Sequence, residues 1–183
     1  SIVHYFYDFL IFDFTKQYLS EMNIFLQIAL IFFIWDFIQY WIHRSYHEIP
    51  SLWKFHAIHH SAEKMDWLAG SRMHVLELFV TRILIISPII LLWFSEGAIN
   101  TYAVILWVYA TMIHSNIKVN FWPLEKIFVS PKFHHWHHAH DREAININYA
   151  WELSILDIMF WTYLAKDSYP EEYGVSEKQW IPH

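Results

Sequence analysis

The chain carries three short histidine clusters far apart in sequence, and any fold it adopts must answer to all three. They are His43-Arg44-Ser45-Tyr46-His47, His56-Ala57-Ile58-His59-His60 and His134-His135-Trp136-His137-His138. On a helix, residues three and four apart share a face. The first box then presents two imidazoles on one side of a turn. The second presents His56, His59 and His60, and the third His134, His137 and His138. Clusters this dense exceed what packing needs, and imidazole is the commonest protein metal ligand. The pattern reads as a polynuclear metal site. With no cysteine in the chain, its donors must be nitrogen and oxygen, and disulfides and iron–sulfur ligation are excluded.

The surroundings of the boxes are apolar. Of 183 residues, 56% are hydrophobic and only 16% charged, which suits one ordered domain over residues 1–183 rather than a disordered chain. A net charge of −6 argues against nucleic acid as a partner. Three segments, about 24–42, 75–94 and 99–113, read as membrane helices, although a span needs about 20 mainly apolar residues and the third is short. Residues 2–14, aromatic but interrupted by Asp8 and Asp13, read as interfacial. The chain begins at Ser1 rather than Met, so part of its N-terminus is expected to be missing.

Charge placement orients these helices. Residues 95–98 connect the second and third without a Lys or Arg, whereas the other loops carry Arg44, Lys54, Lys64, Arg72, Lys118, Lys126, Lys132 and Arg142. The positive-inside rule puts the 95–98 turn outside and the boxes on the cytoplasmic face. The hairpin returns at His114, which on residue chemistry alone is equally a ligand or an interfacial histidine. The expected fold is all-α: an integral membrane helical protein with a helical hairpin and a cytoplasmic histidine-rich cap.

Asp36 lies inside an apolar helix, where an ionisable group is costly and usually functional. It shares a face with Tyr40, His43 and His47, so it reads as a group orienting a box-one imidazole; pairing with Arg82 is the bland alternative. His74 reads as structural or as a partner of a ligand. His135 points off its box's shared face, and it and His140 read as ligand partners or as solvent-facing. His4 and His183 are incidental, and Glu152 is read as solvated.

The arrangement resembles the fatty acid hydroxylase/sterol desaturase superfamily, membrane enzymes with a histidine-bound di-iron centre. The resemblance covers about residues 30–175. Asp36-Phe37-Ile38-Gln39-Tyr40-Trp41-Ile42-His43-Arg44 is similar to the family's approach to its first box, and Trp53-Lys54-Phe55-His56 to the second. Arg72-Met73-His74-Val75-Leu76-Glu77 resembles an Arg-x-His-Pro-x-Glu element, with Val75 in place of proline. His114-Ser115-Asn116 matches a His-Ser-Asn element, and Ser130-Pro131 precedes the third box as in relatives. Asn148-Tyr149-Ala150, Leu156-Asp157 and Phe160-Trp161-Thr162-Tyr163 look like the C-terminal signature. Three departures stand out: Asn146 for Asp, Trp161 for Gly, and Ile158 for a basic residue.

The resemblance implies two iron ions held by His43, His47, His56, His59, His60, His134, His137 and His138, with His114 as a ninth ligand. It makes Asp157 and Asn116 candidates for groups that support the ligands. The implied reaction is O2-dependent hydroxylation or desaturation of a lipid or sterol-like substrate, carried by the metal centre with no separate acid or base assigned. No haem, flavin or Gly-rich fingerprint is present, so electrons are expected from a ferredoxin, a cytochrome or a reductase. A bacterial inner membrane is favoured over the endoplasmic reticulum. Two other classes compete. A transporter would place its ligands inside the spans, and a zinc hydrolase needs a carboxylate base that no box contains.

Overall fold

The computed structural model describes residues 18–119 and 121–175. The stretch 2–14, His4 and His183 lie outside them. The described secondary structure is helical, with one isolated bridge between Ala139 and Tyr173. Helix α1, Ile24–Glu48, starts where the Asn23 side chain accepts the Phe25 N–H at 2.9 Å. It stops because proline forces the residue before it out of the helical region, and Ile49, before Pro50, has φ −100° and ψ 113°. Pro50 itself opens α2, Pro50–His60, at a position that needs no N–H. This single corner sets the end of α1, with box one, beside the whole of box two.

The hairpin follows. In α3, Val75–Leu91, the His74 ring caps the first turn by accepting the Leu76 N–H at 3.1 Å. In α4, Glu96–His114, Ser95 Oγ does the same for Ala98 at 3.3 Å. Gln27, a polar interruption of α1, ties the turn down. Its carbonyl oxygen accepts the Ser95 N–H at 2.8 Å, and its amide donates to the Met22 and Ser20 carbonyls at 2.7 and 3.2 Å. Box three lies on α5, Pro131–His137, capped by Ser130 Oγ, which accepts the Phe133 N–H at 3.2 Å. The short α6, Ile155–Met159, carries Asp157.

Helix bounds differ from the expected ones in a physically readable way. α1 runs on through box one to Glu48 instead of ending at 42. α3 ends at Leu91 rather than 94, because Trp93 takes a left-handed φ of 58°. α4 begins at Glu96 under its Ser95 cap, so the connection is 92–95 and not 95–98. Among the described residues one helix, α1, is long and apolar enough to cross a membrane, where three were expected. α3 has 17 residues, and Glu96, Gly97 and Asn100 dilute the apolar character of α4.

Two larger apolar clusters, and a small one of Ala62, Met65 and Ala69, make up the buried interior of the described residues. Ile31, Trp35, Ile85, Ile89, Tyr102 and Leu106 join α1, α3 and α4. Tyr40, Ile113, Phe133, Tyr149 and Leu156 pack beneath the boxes. The outer faces are also apolar, with Phe25, Phe33, Phe79, Ile83, Val104 and Trp107 exposed.

Three residues of the C-terminal element have left-handed backbone: Asn146, Asn148 and Trp161, with φ of 59°, 56° and 58°. Asn, like Asp, tolerates this region, so the Asn146 departure sits where either residue fits. Trp161 does not belong there, and its side chain is 91% exposed. Left-handed backbone costs a non-glycine residue about 1–2 kcal/mol, against about 0.5–1 kcal/mol of extra entropy lost by glycine. Trp161→Gly should therefore raise stability by roughly 0.5–1 kcal/mol. Thermal unfolding of the two proteins in detergent checks this, and an unchanged or lower midpoint would count against strain at this position.

Candidate metal centre

The helices bring the nine histidines together in two adjoining groups. One holds His43, His47, His56, His60 and His137; the other holds His59, His114, His134 and His138. Within each group the ligand atoms lie within 4.8 Å of one another. The boxes do not map one to a group. His56 and His60, four apart on α2, enter the first group, while His59 turns to the second. His134 and His138 enter the second group, while His137 turns to the first. The two groups touch where the His60 and His138 rings stack at 4.3 Å.

Proton placement shows what the groups can bind. A carbonyl oxygen only accepts, so a ring nitrogen facing one carries the proton and leaves the other nitrogen as a lone pair. The Nδ1–H of His43 donates to the Tyr149 carbonyl at 2.7 Å, that of His137 to Ile147 at 2.8 Å, and that of His114 to Ala110 at 2.7 Å. His59 donates to Arg72 at 3.3 Å, and His56 to the Glu77 carboxylate at 2.6 Å. Their Nε2 lone pairs then face one another: His43 and His56 at 3.0 Å, His114 and His59 at 3.4 Å. Opposed lone pairs repel unless a cation lies between them. Two nitrogens each 2.0–2.1 Å from one metal lie about 3.0–3.4 Å apart at neighbouring coordination positions. His47 Nε2, His60 Nε2, His137 Nε2 and the Nδ1 atoms of His134 and His138 are buried without a protein partner. The donor set fits metal.

Electrostatics agree. Burial, reinforced by the neighbouring imidazoles, pushes His56, His60, His134 and His138 well below the ordinary histidine range. Burial takes His137 down to about 3. These rings are neutral at physiological pH, which is the form that binds metal.

The remaining sequence-named residues fall in different places. Asp36 does not touch a box imidazole, as was expected, nor is it paired with Arg82. Its carboxylate accepts the N–H groups of Trp151, Glu152 and Leu153 at 3.0, 3.2 and 2.6 Å. Asp157 accepts those of Tyr149 and Ala150 at 2.7 and 2.9 Å, and the Thr162 hydroxyl at 2.6 Å. Two buried acids thus clamp five consecutive amides, and the first residue of that run holds His43 through its carbonyl. His74 caps α3 and packs on Phe55, with ring centroids 4.9 Å apart. Asn116 is exposed and makes no hydrogen bond to a box imidazole. His135 is buried, outside both groups, between the Tyr173 hydroxyl at 2.8 Å and the Ser115 carbonyl at 3.0 Å. His140 is exposed.

Glu152 corrects the sequence reading: it is buried rather than solvated. The Tyr102 hydroxyl donates to it at 2.5 Å, and burial, followed by nearby Asp36, pushes its carboxyl up to about 9. It is therefore a neutral acid at pH 7.

Three residues at the site have no role in the sequence reading, although Glu77 ends the Arg72–Glu77 element that resembles the family's. Glu77 orients His56; an acid in the first turn of an apolar helix was a signal of the same kind as Asp36. Trp151 lies across both groups, its ring 6.4 Å from His43, 6.1 Å from His114 and 6.5 Å from His134. No spacing rule pointed to it. Gly70 packs against His114, so that a Cβ there would lie 2.9 Å from Nδ1. Gly70→Ala should push the His114 ring off its Ala110 bond and lower the metal bound per chain, with helix content unchanged. Metal analysis alongside circular dichroism checks this; full metal content in the variant would show that the ring has room to yield.

The arms of the hairpin splay around a cavity of about 610 Å³, within the usual range of small-molecule sites. Its wall runs from Ile86, Ile90 and Ile99 to Gly70, Ala110 and Trp151, beside the histidines.

The profile of the Fatty acid hydroxylase family matches residues 28–162, spanning all three boxes and the hairpin. The chain belongs to the fatty acid hydroxylase family. This fatty acid hydroxylase chain is 36% identical to human alkylglycerol monooxygenase over 135 residues, covering 72% of the chain and 29% of that protein. It is 34% identical to an ornithine lipid hydroxylase of Rhizobium tropici, covering 75% of the chain and 41% of that protein. With a putative Delta(7)-sterol-C5(6)-desaturase of Arabidopsis thaliana it shares 29% identity, over 86% of the chain and 57% of that protein. The chain thus spans well under two thirds of these relatives' lengths. No solved structure matches.

Proposed function

We propose that this fatty acid hydroxylase chain forms the catalytic domain of an iron-dependent oxidoreductase that uses O2 to hydroxylate or desaturate a membrane lipid. The observation that carries this reading is two adjoining all-imidazole groups packed against Trp151 and Gly70 of an apolar cavity's wall. Relatives named as an alkylglycerol monooxygenase, an ornithine lipid hydroxylase and a putative sterol desaturase support the substrate class.

Two irons are the proposed cofactor. His43, His47, His56, His60 and His137 would hold one, and His59, His114, His134 and His138 the other. Five and four nitrogens leave positions open on a six-coordinate metal, as catalytic sites require. Irons so held would supply O2 activation for attack on an unactivated C–H bond. The protein does the rest. Glu77 and the Tyr149, Ile147, Ala110 and Arg72 carbonyls fix ring orientation by accepting the Nδ1–H hydrogen bonds. Trp151 closes the cavity against both groups, and the apolar walls align a chain and exclude water.

The exposed apolar faces of α1, α3 and α4 would meet lipid, since soluble monomers rarely expose contiguous apolar patches of that extent. Arg44, Lys54, Lys64 and Arg72 near the boxes support a cytoplasmic position for them by the positive-inside rule. Electrons would come from a separate ferredoxin, cytochrome or reductase.

The test uses the full-length protein in detergent or nanodiscs. Iron is quantified per chain, O2 uptake is followed with reductant and membrane lipid extract, and products are identified by mass spectrometry. About two irons per chain and a lipid product carrying one added oxygen, or lacking two hydrogens, are expected. Stoichiometric iron without lipid-dependent O2 uptake would defeat the proposal.

A further inference from the structure

Arg82 stands in the middle of α3, in an otherwise apolar stretch, on the wall of the cavity. Arg82 is exposed on the helix; with α3 in lipid, an ionisable side chain at such a position is costly and usually functional. Within the protein it binds no acid. Among the described residues Arg82 makes no ion pair or hydrogen bond, and the buried acids nearby are engaged elsewhere. Asp36 is taken by three amides, Glu77 by His56 and Glu152 by Tyr102. What holds Arg82 is Trp35: the guanidinium carbon lies 5.7 Å from the centroid of that ring, which also lines the cavity. Stacking of this kind restrains the guanidinium and leaves its N–H fork unused.

We propose that Arg82 binds the oxyanion of an amphiphilic substrate, a carboxylate or a phosphate, and so sets where along the chain oxidation falls. The proposal deepens the lipid-oxidising reading and rests on it for the identity of the occupant. Guanidinium pairs bidentately with either oxyanion, and such charge-assisted bonds are stronger than neutral ones. The geometry gives a register as well. Arg82 is five residues beyond Glu77, the α3 residue that holds His56, which is about 7.5 Å along the helix at 1.5 Å per residue. From Arg82 the wall continues through Leu78 and Val75 to Gly70 and Trp151, is mostly apolar, and ends at the residues that pack against the histidines. An oxyanion at Arg82 would direct its chain along this wall and present a carbon roughly that far from the charge. Ile86 and Ile90, on the other side of Arg82, offer no second polar anchor.

The experiment reads binding without turnover. Trp35, Trp107 and Trp151 line the cavity, so a lipid brominated in mid-chain quenches their fluorescence on entering it. The probes are dibromostearate, the matching alkyl phosphate and the matching alcohol, each titrated into the full-length protein in nanodiscs. At least one anion should bind about tenfold or more tighter than the alcohol, as a charge-assisted pair requires. The stronger of the two anions identifies the group recognised. Arg82→Gln should erase the preference and leave alcohol binding unchanged, while Arg82→Lys should keep part of it. Equal binding of anions and alcohol by the native protein would overturn the proposal, and so would a preference that survives Arg82→Gln. Selective binding with no oxidation of any bound lipid would instead defeat the oxidative function and leave the anion site standing.

Discussion

Replacing His137 with alanine should leave the full-length protein inserted and helical but strip the five-histidine group of its metal and the protein of its turnover. His137 is the only residue of α5 in that group, and its ring lies 4.5 Å from His43, 4.7 Å from His47 and 4.6 Å from His60. Its orientation is fixed by the Ile147 carbonyl, which lies between two left-handed asparagines. Losing only an outer hydrogen bond of a metal ligand costs about 10–100-fold in affinity or activity, and loss of the ligand itself should exceed that. Iron per chain and turnover measure the effect. His135→Ala is the control from the same helix: that ring serves Tyr173 and Ser115, so the variant should keep its metal. Turnover retained by His137→Ala would defeat the ligand assignment.

The second large effect is expected at Asp36, which touches no histidine. Asp36→Ala removes the acceptor for three buried N–H groups, and each unsatisfied buried donor costs about 1–3 kcal/mol. The three losses overlap, so a net destabilisation of about 3–5 kcal/mol is expected, the range seen when a buried charged network is broken. The Tyr149 carbonyl belongs to the same clamped run, so the His43 ring should loosen with it. Asp36→Asn keeps one acceptor oxygen and should lose less. Thermal unfolding and iron content measured together test this, and a stable, fully loaded Asp36→Ala protein would show that the clamp is dispensable.

The sequence carried the site further than it carried the fold's details. Eight of the nine imidazoles that the fold brings together were legible because i, i+3 and i, i+4 spacing survives in any helix, and α1, α2 and α5 carry the boxes; His114 stands alone in the sequence and was pointed to only by the family resemblance. How the triplets divide was not legible. Three rings on one face span about 100° of arc or more, wide enough to serve two centres, and only the angle between α2 and α5 decides which ring goes where. Asp36 was correctly singled out as a costly acid but given the wrong partner, because the loop at 151–153 approaches from more than a hundred residues away. Glu152 was misjudged for the same reason: a polar residue in a loop reads as solvated until the Tyr102 hydroxyl is seen above it. Helix ends were misplaced where the deciding signal was a cap, at Ser95, or a left-handed residue, at Trp93.

The crossing of the boxes between the two groups has a consequence for assembly. α5 has only seven residues, too short to persist as an isolated helix in water. Each of α2 and α5 gives histidines to both groups, so neither metal can be seated without drawing the same two helices together. The ions would act as rivets through two plates: the first aligns the holes for the second. Loading should then be cooperative, with half-filled chains scarce at every iron concentration, and a chelator should release both ions together.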